Sequence, residues 1–458
     1  NELQQTTKAS KAHQQFGWVD DNKLDAFVLG DKLITADSIE YNPPSAKTAG
    51  YIERLTPKGT QEGSKEVLDW YDRDGMELQQ FTVCAGLYSL GVHLFGKTGA
   101  GKTTAMYAAT SIWGDPRGLI GTGGDTPNSK MNQAELYHSI PMNTDELTNF
   151  TPREASQYAY QLSEGVQKNR MAGGGNYERV RGKPWRLLAF STGNTSMYSQ
   201  MSMFKGDTKA EMQRLLELRT DEMPRLKIST EEGDKQLLNV QNNYGHFGPI
   251  FVQYVVNNKE AVLARYKVIK EKLDERAGLD SVNRFWSGGC AAILTGASIA
   301  KEVGIIDYDL KKLYHWVASM LIKVKNFVDD STASVQTLVT GYMTENWSNI
   351  LKIKSTQTSA GQDGVASMVI PEQNPRNTFV ARFEPDTQML FIVQKHFQKW
   401  LGEQRIDHVS TVQGMIEQMG ATKVKKRLGK GTNFNLPPIW TIAVKLDGVS
   451  GVPETSED

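Results

Sequence analysis

Cysteine is nearly absent from this 458-residue chain, and the two that occur, Cys84 and Cys290, sit in separate apolar runs. That excludes a disulfide framework and a thiolate metal site, so both read as buried thiols of a reducing compartment. Net charge is missing as well. Lys plus Arg and Asp plus Glu each number 52, so no global field draws the chain to nucleic acid or to an anionic membrane. Any such contact must come from local clusters. No apolar run approaches the roughly 18 residues that a membrane span needs, and no basic-then-apolar leader opens the chain. A soluble protein of the cytoplasm is expected. The seven histidines are scattered without a pair at metal-ligand spacing. No His, Cys or Ser constellation points to nuclease, protease or polymerase chemistry, and no internal repeat recurs. The first residues, NELQQTTKAS, lack an initiating Met, which suggests a processed chain or a piece of a longer one with a further N-terminal partner domain.

What is present is an ordinary globular composition, 39% hydrophobic and 23% charged, in a chain long enough for two or three domains. Residues 1–65 read as a small β-rich N-terminal module, with short strands in FGWVDDNKLDAFVLGDKLIT broken by an Asp-Asp-Asn turn. Residues 66–240 begin with helical spacing and then alternate strand-like and helical runs, the pattern of a parallel sheet covered by helices. Residues 241–354 lose the strand signal and read as a helical, lid-like subdomain. Residues 355–378, rich in Ser, Thr, Gln, Gly and Pro, read as a linker. Residues 379–447 give strand, helix, helix, basic turn and strand, an order compatible with a winged helix. Residues 448–458 form a polar, acidic tail expected to be disordered.

The strongest local signal is GVHLFGKTGAGKTTAMYAATSIW, residues 91–113. Gly96, Thr98, Gly99, Ala100, Gly101, Lys102, Thr103 and Thr104 follow an apolar strand and open a helix, in the G-x-x-x-x-G-K-[ST] pattern. Glycines let backbone N–H groups turn inward around an anion while the helix aims its positive end at the same point. Lys102 then reaches the β- and γ-phosphates of ATP, and the Thr103 hydroxyl ligates Mg²⁺. A second carboxylate site follows at Asp145-Glu146, after YHSIPMNT. Asp145 would hold the metal or its water, and Glu146 would polarise the attacking water, which implies hydrolysis rather than binding alone. The strand before Asp145 is diluted by Pro141, Asn143 and Thr144, and Asp125 after GTGG is the next candidate. RLLAFSTGN ends in Thr192 and Asn194. Asn194 is preferred as the group orienting water against the γ-phosphate, because its amide both donates and accepts.

With these residues in place, the chain resembles the P-loop helicase module of phage and mobile-element replication proteins, of primase-helicase type. That family is related to superfamily-three helicases and AAA+ ring ATPases. The resemblance rests on HLFGKTGAGKTTAMYAATSIWGDP, TDELTNF, WRLLAFSTGN and EMPRLKI, and covers roughly residues 15–350. It implies an α/β P-loop NTPase core of AAA+-like type and a ring, six subunits being expected, in the cytoplasm of a bacterial host. The expected partners are single-stranded or forked DNA and a linked or separate primase. It implies an arginine reaching the neighbouring subunit's site, best matched by Arg225 with Arg219 in reserve, and it leaves Arg284 open as a second phosphate sensor or a structural ion pair. The insert VQKNRMAGGGNYERVRGKPW corresponds to a hairpin that grips single-stranded DNA. It carries Lys168, Arg170, Arg179, Arg181 and Lys183 around a Gly-rich tip with Tyr177 available for stacking. A solvated basic face is the other reading of that charge run. Lys423, Lys425, Lys426, Arg427 and Lys430 stand where a winged helix would place its wing, or form a solvated turn. Pro141 departs from the family pattern. The rival functions are a duplex-DNA motor or origin-melting initiator, and a nucleotide-switched remodeller that binds no nucleic acid.

Overall fold

The computed structural model describes residues 12–85, 91–96, 99–147, 150–168, 182–204, 208–220, 228–331, 335–355, 371–373, 375, 379–403, 408–430, 432 and 436–446. Two compact units divide it, the first running to Val328 and the second from Asp329.

The first unit opens with an antiparallel meander in which β1 (Gly17–Trp18), β2 (Ala26–Leu29), β3 (Lys32–Thr35) and β4 (Ile39–Tyr41) pair in chain order. Leu29 pairs with Lys32, which makes Gly30-Asp31 a two-residue loop, and Gly30 takes a φ of 60° that a Cβ would disfavour. The cross-strand neighbours Phe27 and Ile34 are buried, and Phe27 stacks on Trp113 at 5.9 Å. That contact ties the meander to the core that follows.

Helices α1 (Gln61–Asp69) and α2 (Glu77–Cys84) lead to β5 (Gly91–Phe95). The chain then alternates through α3 (Lys102–Ser111), α4 (Pro116–Leu119), β6 (Gly121–Thr122), α5 (Pro127–Tyr137) and β7 (Met142–Asp145). It continues through α6 (Pro152–Glu164), β8 (Ala189–Gly193), α7 (Met197–Phe204), α8 (Lys209–Met212) and β9 (Leu215–Arg219). These five strands form a parallel sheet in the order β6-β7-β8-β5-β9. Helix α6 shows why the sequence breaks where it does. Thr151 and Glu154 form a reciprocal capping box, Pro152 fits the first turn, and Gly165 closes the helix at a φ of 69°.

The dilution of β7 by polar residues has a structural reason. Met142, Asn143 and Thr144 are all buried, and Asn143 Nδ2 donates to Thr110 Oγ1 of α3 at 2.6 Å, so an interior strand carries an amide with a partner. Pro141 stands just outside the strand, where its missing N–H costs the ladder nothing.

Helices α9 (Thr230–Asn242), α10 (Phe247–Asn257), α11 (Lys259–Ala277), α12 (Arg284–Glu302) and α13 (Leu310–Ser331) make up the helical region. The break between α10 and α11 falls at Asn258, whose Nδ2 donates to the Tyr254 carbonyl at 2.9 Å and so competes with the helical ladder. Trp286 of α12 is buried and donates its indole N–H to the Leu215 carbonyl at 3.0 Å, fixing this region against β9.

The second unit holds α14 (Val335–Asn346), β10 (Ile350–Lys352), β11 (Ala381–Glu384), β12 (Met389–Val393), α15 (Gln394–Glu403), α16 (His408–Met419), β13 (Thr422–Lys426) and β14 (Ile439–Lys445). Its sheet runs β10-β11-β12-β14-β13, parallel only between β10 and β11. The basic run expected as a turn is in large part β13, an edge strand. Lys423, Lys425 and Lys426 lie on it, and Arg427 and Lys430 follow. Lysines on an edge discourage further strands from pairing. Lys426 is also engaged inward, 2.9 Å from Glu384 Oε1 and 3.8 Å above the Phe391 ring. The linker 355–378 lies largely, and the tail 448–458 wholly, outside the described residues.

Candidate nucleotide site

Strand β5 delivers the chain to a loop in which Gly96, Gly99 and Gly101 take φ values of 142°, 85° and 74°. Around Gly99 and Gly101 a Cβ would meet nothing within 4 Å, so the requirement there is conformational, not steric. Gly101 caps α3 without a side-chain acceptor, which leaves the first N–H groups of that helix facing the loop. Lys102 is buried in the first turn and donates from Nζ to the Gly96 carbonyl at 2.7 Å. Its ammonium is folded over the loop it would serve. Thr103 and Thr104 occupy the same turn, both half-buried, and Ala100 lies just before it, whereas Thr98 falls outside the described residues.

Thr103 reaches across the sheet. Its hydroxyl donates to Asp145 Oδ1 at 3.1 Å, and the hydroxyl of Thr192 at the end of β8 donates to the same oxygen. The backbone N–H of Glu146 lies 3.1 Å from Asp145 Oδ1 and 3.3 Å from Thr192 Oγ1. Thus phosphate loop, β7 and β8 converge on one carboxylate oxygen. Glu146 is exposed and holds a φ of 57°, a left-handed conformation that costs a side-chain-bearing residue about 1 kcal/mol or more. Asn194 is exposed one residue beyond β8.

The register explains why Thr192 and not Asn194 meets Asp145. Thr144 pairs with Ser191, so Asp145 and Thr192 come level and Asn194 projects two residues further on. Beneath them, buried His93 of β5 bonds through Nδ1 with Ser191 Oγ at 2.9 Å and through Nε2 with the Thr195 carbonyl at 3.2 Å. Burial pushes its pKa down to about 4, with Lys102 contributing in the same direction, so the imidazole is neutral near pH 7. A Cβ at Gly193 would come within 2.9 Å of the His93 ring, which makes the glycine of STGN a packing requirement. His93 gave no sequence signal beyond its place in an apolar strand.

Among the described residues no group of three or more His, Cys, Asp or Glu side chains could hold a metal ion. The donors at hand are oxygens, the Thr103 hydroxyl and the half-exposed Asp145 carboxylate. That set fits Mg²⁺ shared with nucleotide phosphates and water.

The remaining candidates divide. Asp125 Oδ2 accepts from Thr122 N at 2.7 Å and closes its own turn. Arg219 pairs in register with Phe95, and its guanidinium lies 5.6 Å over that ring, beside the phosphate loop of its own chain. Arg284 stacks on Phe285 at 4.8 Å. Lys168 and Lys183 are exposed at the two ends of the basic insert, while Arg170, Tyr177, Arg179 and Arg181 lie outside the described residues, as does Arg225.

Comparison with known proteins adds the following. Residues 1–181 match the family model "Domain of unknown function (DUF927)". Among the solved structures, one described as "SCCmec type IV Cch - active helicase" superposes with a TM-score of 0.66 at 15% sequence identity, over 97% of this chain and 82% of that one. The chain shares its fold with a mobile-element helicase. The resemblance read from the sequence over roughly residues 15–350 therefore holds at the level of fold, and the structural match extends beyond it into the second unit. Compared with the curated proteins, the sequence matches none. No helix among the described residues is long and apolar enough to cross a membrane.

Proposed function

We propose that the chain is an ATP-dependent DNA helicase of phage or mobile-element type, an AAA+-like ring of six subunits that moves along single-stranded DNA. The observation that carries this reading is the meeting of Thr103, Asp145 and Thr192 on one carboxylate oxygen at the mouth of a glycine loop. Such a loop–carboxylate pair serves phosphoanhydride hydrolysis. The order β7-β8-β5 favours it further, because the polar end of β8 stands between the carboxylate and the phosphate loop, where a side chain can meet the attacking water.

In this reading ATP with Mg²⁺ supplies the scissile phosphoanhydride. Lys102 and the loop N–H groups hold its phosphates, and Thr103 and Asp145 hold the metal. Glu146 orients and polarises the water, Asn194 fixes its direction, and Arg225 of the neighbouring subunit stabilises charge on the transferred phosphoryl group. Lys168, Arg170, Tyr177, Arg179, Arg181 and Lys183 grip the strand. The second unit, with β13 and β14 in place of a wing, serves as a winged-helix-like DNA contact, and a primase acts alongside.

The test is ATP-dependent unwinding of a forked duplex by the wild-type chain, with Lys102→Ala as the blank. Unwinding that vanishes in the blank supports the reading. ATP hydrolysis without unwinding, stimulated by duplex and not by single strands, would replace it with a duplex motor.

A further inference from the structure

A cleft of about 740 Å³ opens at the β6 edge of the sheet, away from the phosphate loop. Four parts of the first unit form it: the N-terminal module, the segment from α4 through β6, helix α5, and both ends of the basic insert. Among its described lining residues the cations are Lys47, Arg54, Lys168 and Lys183, against the acids Asp125 and Glu135. All four cations are exposed. The Arg54 guanidinium carbon lies over the Tyr51 ring, 4.8 Å from its centroid, which sets an aromatic side chain beside positive charge. The rest of the wall mixes amides, Gln14 and Gln133 among them, with glycines and the apolar side chains of Ile120 and Leu136.

The two feet of the basic insert are pinned here. Gln167 Nε2 donates to Asn132 Oδ1 and to Glu135 Oε2, each at 2.7 Å. Gln15 Nε2 donates to the carbonyls of Glu135 at 2.8 Å and Pro184 at 3.0 Å. Gly182 packs so close that a Cβ would fall 2.1 Å from Glu135 Oε2. Lys168 and Lys183, at the two feet, line the same cleft as Lys47 and Arg54.

The cleft floor also touches the hydrolytic machinery. Gly121 and Asp125 line it, and the turn between them is locked by Lys130 Nζ, which donates to the Thr122 and Asp125 carbonyls at 2.7 Å each. A Cβ on Gly123 in that turn would fall 1.8 Å from the Glu146 carbonyl oxygen. The turn therefore backs directly onto the Glu146 backbone.

We infer that this cleft is a second contact for single-stranded DNA, in which the N-terminal module, through Lys47 and Arg54, holds phosphates of the strand that the basic insert grips. The inference rests on the helicase reading above. Cations along a groove with an aromatic side chain beside them are the elements by which single strands are held without sequence preference.

Fluorescence anisotropy of a labelled oligothymidylate, titrated against salt on the full chain, tests it together with ATP turnover measured with and without the oligonucleotide. Lys47 suits the test because its side chain is 65% exposed and its ion pair with Glu135 is a loose 3.5 Å. Lys47→Glu is expected to weaken binding about 5- to 10-fold and to lower the salt slope by about 0.7, the value of one single-strand phosphate contact. It should reduce DNA-stimulated turnover and leave DNA-free turnover at the wild-type level, while Lys47→Arg restores affinity. Unchanged affinity and slope in Lys47→Glu, with the wild type binding, would overturn the cleft assignment alone. Loss of DNA-free turnover would make Lys47 structural and overturn it equally. A wild-type chain that binds no oligothymidylate would overturn both the cleft and the helicase reading.

Discussion

Asp145 ends β7, and Glu217 lies two residues inside the end of β9, yet the fold surrounds these two carboxylates differently. Asp145 is half-exposed and ringed by hydroxyls from Thr103 and Thr192, close to the surface where a divalent cation and water can reach it. Glu217 is buried. Its Oε1 accepts from Ser196 Oγ at 2.6 Å, and its Oε2 accepts from the N–H groups of Met197 at 2.5 Å and Tyr198 at 3.2 Å, at the start of α7. Burial pushes its pKa up to about 7 against the pull of those donors and of Arg219. The difference teaches which carboxylate can serve chemistry. A metal ligand needs solvent and charge together, whereas Glu217 spends its oxygens on the turn that follows Asn194.

The comparison breaks most sharply at the end of β7. Asp145→Asn should lower ATP turnover more than about 100-fold, beyond the loss typical of a group that only supports a metal ligand. Mg²⁺ dependence of turnover is the measurement, and wild-type turnover would remove Asp145 from the site. Glu146→Gln should keep ATP binding and lose about 100-fold or more in turnover, the range of general-base catalysis. Thr192→Val keeps shape and deletes the hydroxyl shared by Asp145 and the Glu146 N–H, so a smaller loss, about 10- to 100-fold, is expected. An unaltered kcat in Thr192→Val, with Asn194→Ala inactive, would leave Thr192 no part in the chemistry and the sensing role with Asn194.

The glycine-rich loop between β5 and α3 was legible because its signal is local: glycines, a lysine and a threonine at fixed spacing need no tertiary partner to be recognised. The meander was legible for the same reason, through the Asp20-Asp21-Asn22 turn that separates its first two strands. The pairing of Thr192 with Asp145 depends on the register Thr144 to Ser191 between strands separated by α6 and the basic insert, which one sequence does not encode locally. Lys423, Lys425 and Lys426 read as a turn because of their charge, but a lysine at a sheet edge is compatible with strand once β14 pairs with it. Glu217 was invisible inside LLELR. Nothing in an apolar run says that its one carboxylate will cap a helix from another part of the chain.

Glu217 sharpens the comparison through pH. Its folded pKa of about 7 lies above the ordinary 4.5, so between these values the folded state binds more protons than the unfolded one. The favourable contribution of the protonated form is then fully present below about pH 4.5, declines through the interval, and is gone above about pH 7. Integrated over that interval the change is on the order of 3 kcal/mol, at about 1.4 kcal/mol per unit. Glu217→Gln can still accept the two backbone N–H groups with its carbonyl and donate to Ser196 with its amide, so it mimics the protonated form at every pH. Urea denaturation of wild type and Glu217→Gln across this range should show the wild type losing stability as pH rises and the variant flat by comparison. ATP turnover at pH 7 should fall less than about 10-fold in the variant, since Glu217 supports the Asn194 turn without touching the metal site. A variant with the same pH slope as wild type would mean that Glu217 stays ionised in its buried setting, held there by the helix N-terminus, and the contrast with Asp145 would then be one of access to solvent alone.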